Sequence, residues 1–90
     1  MNRYGIQAKA HWQTHLPRRY KALDNPDQFF QQLGEEIQDR VLSLEEDLRQ
    51  SPGPDFLANL GQLGRARQEA EEMAMRELAL LPPEGPDSNN

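Results

Sequence analysis

A chain of 90 residues, of which 36% are apolar, is short enough for one domain with a small core that a few elements or a partner must complete. It has no cysteine, which excludes a disulfide framework and a cysteine-based zinc site. It also lacks both the roughly 20 apolar residues that span a bilayer and the apolar region of a secretory signal. We therefore expect a soluble protein of the cytoplasm with no membrane association.

The net charge of −5 is divided unevenly along the chain. Residues 1–23 contain no acid and five bases, whereas residues 24–90 contain all fifteen acids and the other five bases. The five N-terminal bases are Arg3, Lys9, Arg18, Arg19 and Lys21. Because of this asymmetry, the overall acidity does not exclude binding to nucleic acid.

The N-terminal segment is predicted to form one helix over residues 2–16 and a short helix or turn over residues 17–23. Pro17 separates them, because the residue before a proline is disfavoured in the helical region, while proline itself suits the first position of a helix. We expect Tyr4 and Gly5 to precede the first full turn. The weak apolar face of the first helix consists of Ile6, Ala8, Ala10, Trp12 and Leu16, and the apolar contacts of the second piece are Tyr20 and Leu23.

Residues 25–50 are predicted to form a long helix. Its large apolar residues recur at steps of three and four, which places them on one side; they are Phe29, Phe30, Leu33, Ile37, Val41, Leu44 and Leu48. Asn25, Pro26 and Gln28 match the N-cap, the first position and the third position of a helix with a capping box. Gly34 costs about 1 kcal/mol relative to alanine, so we expect another element to cross close to it.

A turn at residues 51–54 separates this helix from a second long helix over residues 55–81. Apolar residues again recur at three and four, namely Phe56, Leu60, Leu63, Ala66, Ala70, Met73, Leu78 and Leu81. A small-residue patch of Ala58, Gly61 and Gly64 indicates a second close approach. Residues 82–90 are polar and rich in proline, which predicts a disordered tail.

The predicted fold is therefore all-α, with a single helical domain over residues 1–81. Because the turn is short, the two long helices should form an antiparallel hairpin, with one or two short N-terminal helices packed across it near Gly34 or the small-residue patch. The predicted core consists of Trp12, Leu16, Tyr20, Leu23, Phe30, Leu33, Ile37, Val41, Leu44, Leu48, Phe56, Leu60, Leu63, Ala70, Met73 and Leu78.

Several acid–base pairs spaced four residues apart are typical of exposed helices, which each pair stabilises by a few tenths of a kcal/mol, about 0.2–0.5. They are Glu36–Arg40, Glu45–Arg49, Arg65–Glu69, Arg67–Glu71 and Glu72–Arg76.

His11 and His15 are spaced so that a metal ion could lie between them on one helical face. The zinc-protease pattern requires a glutamate directly after the first histidine, where this sequence has Trp12, and residues 1–23 offer no acid as a third ligand. We therefore expect two surface or packing histidines and predict no metal and no cofactor, with a metal site as the weaker alternative.

No carboxylate is paired with a histidine, serine or cysteine in a pattern suited to acid–base or nucleophilic catalysis. We therefore predict that the protein is not an enzyme.

Two charged surfaces remain as candidate binding sites. Six carboxylates of the first long helix form an acidic surface, namely Glu35, Glu36, Asp39, Glu45, Glu46 and Asp47. This surface is either simply solvated or binds a basic groove of a partner, such as a groove that otherwise holds nucleic acid. The five N-terminal bases alternate with Tyr4, Trp12 and Tyr20, a combination that suits phosphates and stacked bases. Alternatively, this segment folds back on the acidic helices and buries Trp12 and Tyr20 in the core.

Short motifs in about the first forty residues and in part of the second long helix suggest a resemblance to known small proteins. The clearest are Tyr4-Gly5, His11-Trp12, Pro26, Phe29-Phe30 and Leu33-Gly34. In these residues the sequence resembles small uncharacterised helical proteins carried by phages and plasmids of high-GC bacteria. The resemblance implies no activity. It implies an accessory role, such as a component of a nucleoprotein machine or an inhibitor of a host defence complex.

These observations together favour an acidic helical module that binds another protein or a second copy of itself, as an accessory subunit or inhibitor of a larger complex. The alternative is a small nucleic-acid-associated subunit that uses the basic N-terminal segment.

Overall fold

The computed structural model describes residues 1–50 and 65–84, and within these ranges it contains helices and no strand. The helices are α1 (Arg3–His15), α2 (Pro17–Lys21), α3 (Pro26–Gln50) and α4 (Arg65–Leu78). The all-α prediction is confirmed. Among the described helices, none combines the length and apolar character that crossing a bilayer requires.

Local signals set the boundaries of the first two helices. The side-chain oxygen of Asn2 accepts a hydrogen bond from the Gly5 N–H at 2.9 Å, which caps α1. Tyr4 and Gly5 therefore lie within the first turn, and the prediction that they precede it is wrong. Pro17 ends α1 and begins α2 as predicted.

The start of α3 also follows its sequence signal. The Asn25 side chain accepts a hydrogen bond from the Gln28 N–H at 3.3 Å, and Pro26 is the first helical residue. The predicted apolar stripe of α3 is largely buried: Phe30, Leu33, Ile37, Val41 and Leu44 are inside, while Phe29 and Leu48 are half-buried.

The helices α3 and α4 run antiparallel. Arg40 of α3 meets Glu77 near the end of α4, whereas Glu45, further along α3, meets Arg67 near the start of α4. The buried face of α4 is built mainly from alanines, Ala66, Ala70 and Ala74, whose small side chains let the two helices pack closely. The antiparallel hairpin is thus confirmed.

Helix α4 ends at Leu78, three residues before the predicted end at residue 81. The N–H groups of Ala79 and Leu80 both donate to the Met75 carbonyl, which closes the helix. The predicted turn at 51–54, the first part of the second long helix, the small-residue patch and the core positions Phe56, Leu60 and Leu63 lie outside the described residues.

Helix α1 packs along the hairpin, antiparallel to α3. The Asn2 amide donates to the Gly34 carbonyl at 2.9 Å, and Lys9 contacts Asp27 at 2.8 Å. The crossing is closest where Gly5 faces Gly34: a Cβ atom on Gly34 would lie 2.9 Å from the Gly5 nitrogen. The predicted close approach at Gly34 is therefore confirmed.

This crossing fixes the rotation of α1, and it corrects the predicted apolar face. Tyr4 and Ala8 are buried together with Trp12, whereas Ile6 and Ala10 are exposed. The reason is that Gly5 must face α3, which turns Ile6 outward. Of the other predicted core positions, Leu16 and Ala70 are buried, and Tyr20, Leu23, Leu48, Met73 and Leu78 are half-buried.

After α4, residues 79–84 form a C-terminal segment that runs along α1 and α2. The Glu84 N–H donates to the His15 carbonyl at 2.9 Å, and the Glu84 carboxylate accepts hydrogen bonds from the N–H groups of Arg18 at 3.2 Å and Arg19 at 3.0 Å. Residues 82–84 belong to the predicted disordered tail, and in this structure Glu84 binds the otherwise unpaired N–H groups at the start of α2. Residues 85–90 lie outside the described residues.

Candidate interaction surfaces

The acidic surface predicted on the first long helix lies on the outer side of α3. Five of its six carboxylates are exposed, and at 1.5 Å rise per residue they extend over about 18 Å of the helix; we call these residues, Glu35, Glu36, Asp39, Glu46 and Asp47, the acidic face. With about 100° of rotation per residue, the five fall within a sector of about 120° on α3 that is centred away from its buried stripe. Leu42, which is 48% exposed, lies at the edge of this face.

Glu45, the sixth predicted carboxylate, is not part of the acidic face. It is only 9% exposed, and its two oxygens accept hydrogen bonds from Arg67 of α4 at 3.2 Å and from Arg49 at 2.9 Å. It lies beside Leu44 at the edge of the buried stripe, where a carboxylate is stable only when cations neutralise it. Glu45 therefore joins α3 to α4 and is unavailable to a partner.

The two arginines of α3 form their ion pairs with residues outside the acidic face. Arg40 binds Glu77 of α4 through two hydrogen bonds of 2.9 and 3.2 Å, rather than its predicted partner Glu36. The hydrogen bond from Arg40 lowers the pKa of Glu77. Arg49 binds Glu45 as the spacing of four predicted. In the described residues, neither arginine therefore forms an ion pair with a carboxylate of the acidic face, although Arg40 lies close enough to Asp47 to interact with its charge.

The five N-terminal bases do not form one cationic surface. Arg3 binds Glu71, Lys9 binds Asp27, and Arg18 binds Glu84. Arg3 lies at the start of α1, whereas Arg18, Arg19 and Lys21 follow at its far end, on α2. Lys9 lowers the pKa of Asp27 by its hydrogen bond, so that pair is held in its charged form.

The aromatic residues among these bases lie in the interior. Trp12 is only 8% exposed, and its indole N–H donates to the Ala79 carbonyl at 3.1 Å. Its ring contacts Phe29 and Phe30 at centroid distances of 5.2 and 5.5 Å. Tyr4 is buried, and Tyr20 is half-buried at 6.1 Å from the Phe30 ring. This geometry corresponds to the alternative in which the N-terminal segment folds back on the protein.

The two histidines contact each other, with ring centroids 4.7 Å apart. The His11 Nε2 atom lies 2.8 Å from the Leu81 carbonyl oxygen, which is an acceptor, so this nitrogen carries a proton. In residues 1–50 and 65–84, no group of three or more histidine and acidic side chains is placed to hold a metal ion. His11 thus anchors the C-terminal segment to α1.

A charged network that the sequence did not indicate connects all three packed helices. The Tyr4 hydroxyl donates to the Glu71 carboxylate at 2.7 Å, and Arg67 contacts Tyr4, Glu71 and Glu45. Burial raises the pKa of Glu71, but the Tyr4 hydrogen bond and the charges of Arg3 and Arg67 outweigh this effect and hold the pKa below its ordinary value. The predicted pair of Arg67 and Glu71 is present within this network.

A groove of about 360 Å³ lies between α1 and α4. Tyr4 and Met75 contribute buried side chains to it, and Leu80 stands at its rim with 41% of its surface exposed. The groove is lined by residues of α1 and α4 and by Leu80 of the C-terminal segment, and no residue of α3 is among them. Among the described residues, the acidic face of α3 and this groove are therefore separate surfaces.

Comparison with protein families, curated proteins and solved structures finds no match to this chain. The resemblance of its first residues to small proteins of phages and plasmids stays a prediction.

Proposed function

We propose that this protein is a non-enzymatic interaction module that docks through the acidic face of α3 onto a positively charged surface of another protein. The observation that carries the proposal is the set of five exposed carboxylates on one side of α3, while both arginines of that helix form their ion pairs with Glu77 and Glu45 instead. A surface of this kind attracts a basic partner and repels acidic ones, which gives it specificity and a fast association rate.

Leu42 adds an apolar contact to this surface. It follows Asp39 by three residues and precedes Glu46 by four, so helical spacing places it beside both. An exposed leucine beside carboxylates fits a partner surface on which basic side chains lie next to a small apolar depression. Such a module acts as an accessory subunit or inhibitor of a larger complex, including a nucleoprotein complex.

The proposal is tested by affinity capture from the native host, identification of the captured protein and measurement of its affinity with purified components. The double variant Glu35→Gln with Asp39→Asn removes two charges from the acidic face. A second double variant, Asp24→Asn with Glu69→Gln, removes two exposed charges elsewhere and is the matched control. We expect only the first to weaken binding, and we expect added salt to weaken binding by the wild type, because a Debye length of about 10 Å at 0.1 M screens exposed charges.

Equal binding by both double variants would overturn the assignment to α3. Circular dichroism of the free proteins must show unchanged helix content, so that a loss of binding is not a loss of fold. Light scattering at several protein concentrations determines whether the partner is a second copy of the chain.

The second candidate function is association with nucleic acid through the basic N-terminal segment. The observation in its favour is that Arg18, Arg19 and Lys21 are all exposed on α2. The pairing of Arg3 and Lys9 with acids and the burial of Trp12 oppose it. A salt-dependent shift of labelled DNA or RNA that Arg18→Glu with Arg19→Glu abolishes would support this function, and the absence of any shift at low salt would exclude it.

A further inference from the structure

The groove between α1 and α4 has a graded chemistry along its length. Met75 and Leu80 make one end apolar, and the charged side chains at the other end are the two carboxylates of Glu71 and Glu72 and the guanidinium of Arg3. Glu71 is already neutralised by Arg3 and Arg67. Glu72 is exposed, and its described hydrogen bond, at 3.5 Å, comes from the neutral amide of Gln68. The charge of Glu72 therefore remains available to a ligand at the charged end of the groove.

The contacts of Arg3 show which kind of group binds at the charged end of the groove. The guanidinium of Arg3 lies 5.0 Å from the centroid of the Tyr4 ring and contacts the Glu71 carboxylate. An aromatic face next to a carboxylate is a favourable environment for a guanidinium, because the ring attracts the cation while the carboxylate accepts its hydrogen bonds. The part of the groove at Tyr4 and Glu71 thus already binds one arginine side chain, and Glu72 is the lining carboxylate that is left for a second cation.

We propose that the groove binds an aliphatic–basic segment of a partner protein, with the aliphatic side chain on Met75 and Leu80 and the head of a lysine or arginine at Glu72. The spacing supports this arrangement: Glu72 and Met75 are one turn apart on α4, about 5–6 Å between their Cβ atoms. A partner helix with an aliphatic and a basic residue four positions apart presents its two groups at the same interval. A helix seated between α1 and α4 uses the common mode in which an amphipathic helix binds a groove.

This site is independent of the acidic face of α3, because different helices line it. Binding at the groove and binding at the acidic face can therefore be lost separately, and variants of each surface identify which one a given ligand uses.

The test is a titration of the ¹⁵N-labelled full chain with a short alanine-based helical peptide that carries leucine and arginine four positions apart. We expect saturable changes at the side-chain amides of Gln7 and Gln68 and at the Met75 backbone. We expect a peptide with glutamate in place of the arginine, or asparagine in place of the leucine, to cause much smaller changes.

Matched variants of the chain make the test specific. Glu72→Gln should weaken peptide binding about two- to fivefold, the range of an exposed ion pair, whereas Glu46→Gln, an exposed carboxylate of α3 that does not line the groove, should not. Leu80→Asn should weaken binding, while Leu42→Asn, an equally exposed leucine on α3, should leave it unchanged. The proposal would be overturned by equal peptide affinities within each pair of variants, by spectral changes confined to α3, or by no spectral change at the highest peptide concentration.

Discussion

Replacing Gly34 with alanine tests whether the close crossing of α1 and α3 organises the fold. In an isolated helix this change stabilises by about 1 kcal/mol, because alanine has the higher helix propensity. Here the new Cβ atom would lie 2.9 Å from the Gly5 nitrogen and 3.1 Å from the Asn2 Cγ atom. The first neighbour is backbone, so α1 must shift.

The expected sign follows from the contacts that this shift breaks. Displacing the Asn2 side chain removes the N-cap of α1, worth about 1 kcal/mol, and its hydrogen bond to the Gly34 carbonyl, worth about another 1 kcal/mol. Overpacking adds about 1–3 kcal/mol. These losses exceed the gain in propensity, so we expect Gly34→Ala to lower the free energy of unfolding by about 2–4 kcal/mol.

Urea unfolding, followed by far-ultraviolet circular dichroism and by Trp12 fluorescence, measures this change. Asn2→Ala alone should cost about 1–2 kcal/mol, and the double variant should lose less than the sum of the two, because both changes remove the same contacts. A higher urea midpoint for Gly34→Ala than for the wild type would refute the reasoning.

Three further predictions concern the charged network. Glu45→Gln should lower the free energy of unfolding by about 1–3 kcal/mol, because the buried carboxylate loses its charge-assisted hydrogen bonds to Arg49 and Arg67. Glu46→Gln, on the exposed side of α3, should change it by less than about 0.5 kcal/mol; urea midpoints compare the two. Tyr4→Phe should cost about 1–2 kcal/mol through loss of its hydrogen bond to Glu71, and an unchanged melting temperature would contradict the observed contact. The pKa of Glu71 is lower in the folded protein than its ordinary value of 4.5. Its contribution to stability is therefore present above pH 4.5 and is lost as the pH falls through the folded pKa. Melting temperatures measured from pH 7 to pH 3 should accordingly decline only below pH 4.5, and less steeply in Tyr4→Phe.

The sequence was sufficient to predict α3 because its signals are local. The cap at Asn25, the proline at position 26 and the apolar residues at steps of three and four all act within a few residues of one another. The close approach at Gly34 was predictable for a similar reason, since a glycine among good helix formers needs a packing explanation.

The rotation of α1 was not predictable in the same way. Its sequence offers two weak apolar faces, one with Ile6 and one with Tyr4, and the choice depends on a glycine of another helix. A contact across 29 residues of sequence, between Gly5 and Gly34, leaves no local pattern. The spacing of four from Tyr4 to Ala8 and from Ala8 to Trp12 was the available signal.

The inward position of Glu45 was missed because its partners are distributed along the chain. Arg49 is on the same helix, but Arg67 is 22 residues away and reaches Glu45 only after α4 has packed. The placement of Glu84 has a similar origin: composition predicts disorder for a proline-rich end, and only the start of α2 supplies the N–H groups that hold its carboxylate.

The position of Trp12 has a consequence for how the chain matures during synthesis. Its indole partner is the carbonyl of Ala79, 67 residues later. Helices α1 and α3 are synthesised first, yet the indole N–H of Trp12 lacks its partner in the folded protein until residue 79 has been added. At the usual rate of about 5–20 residues per second, the 67 residues between them take about 3–13 seconds to add, so this contact is among the last of the described contacts that the chain can form.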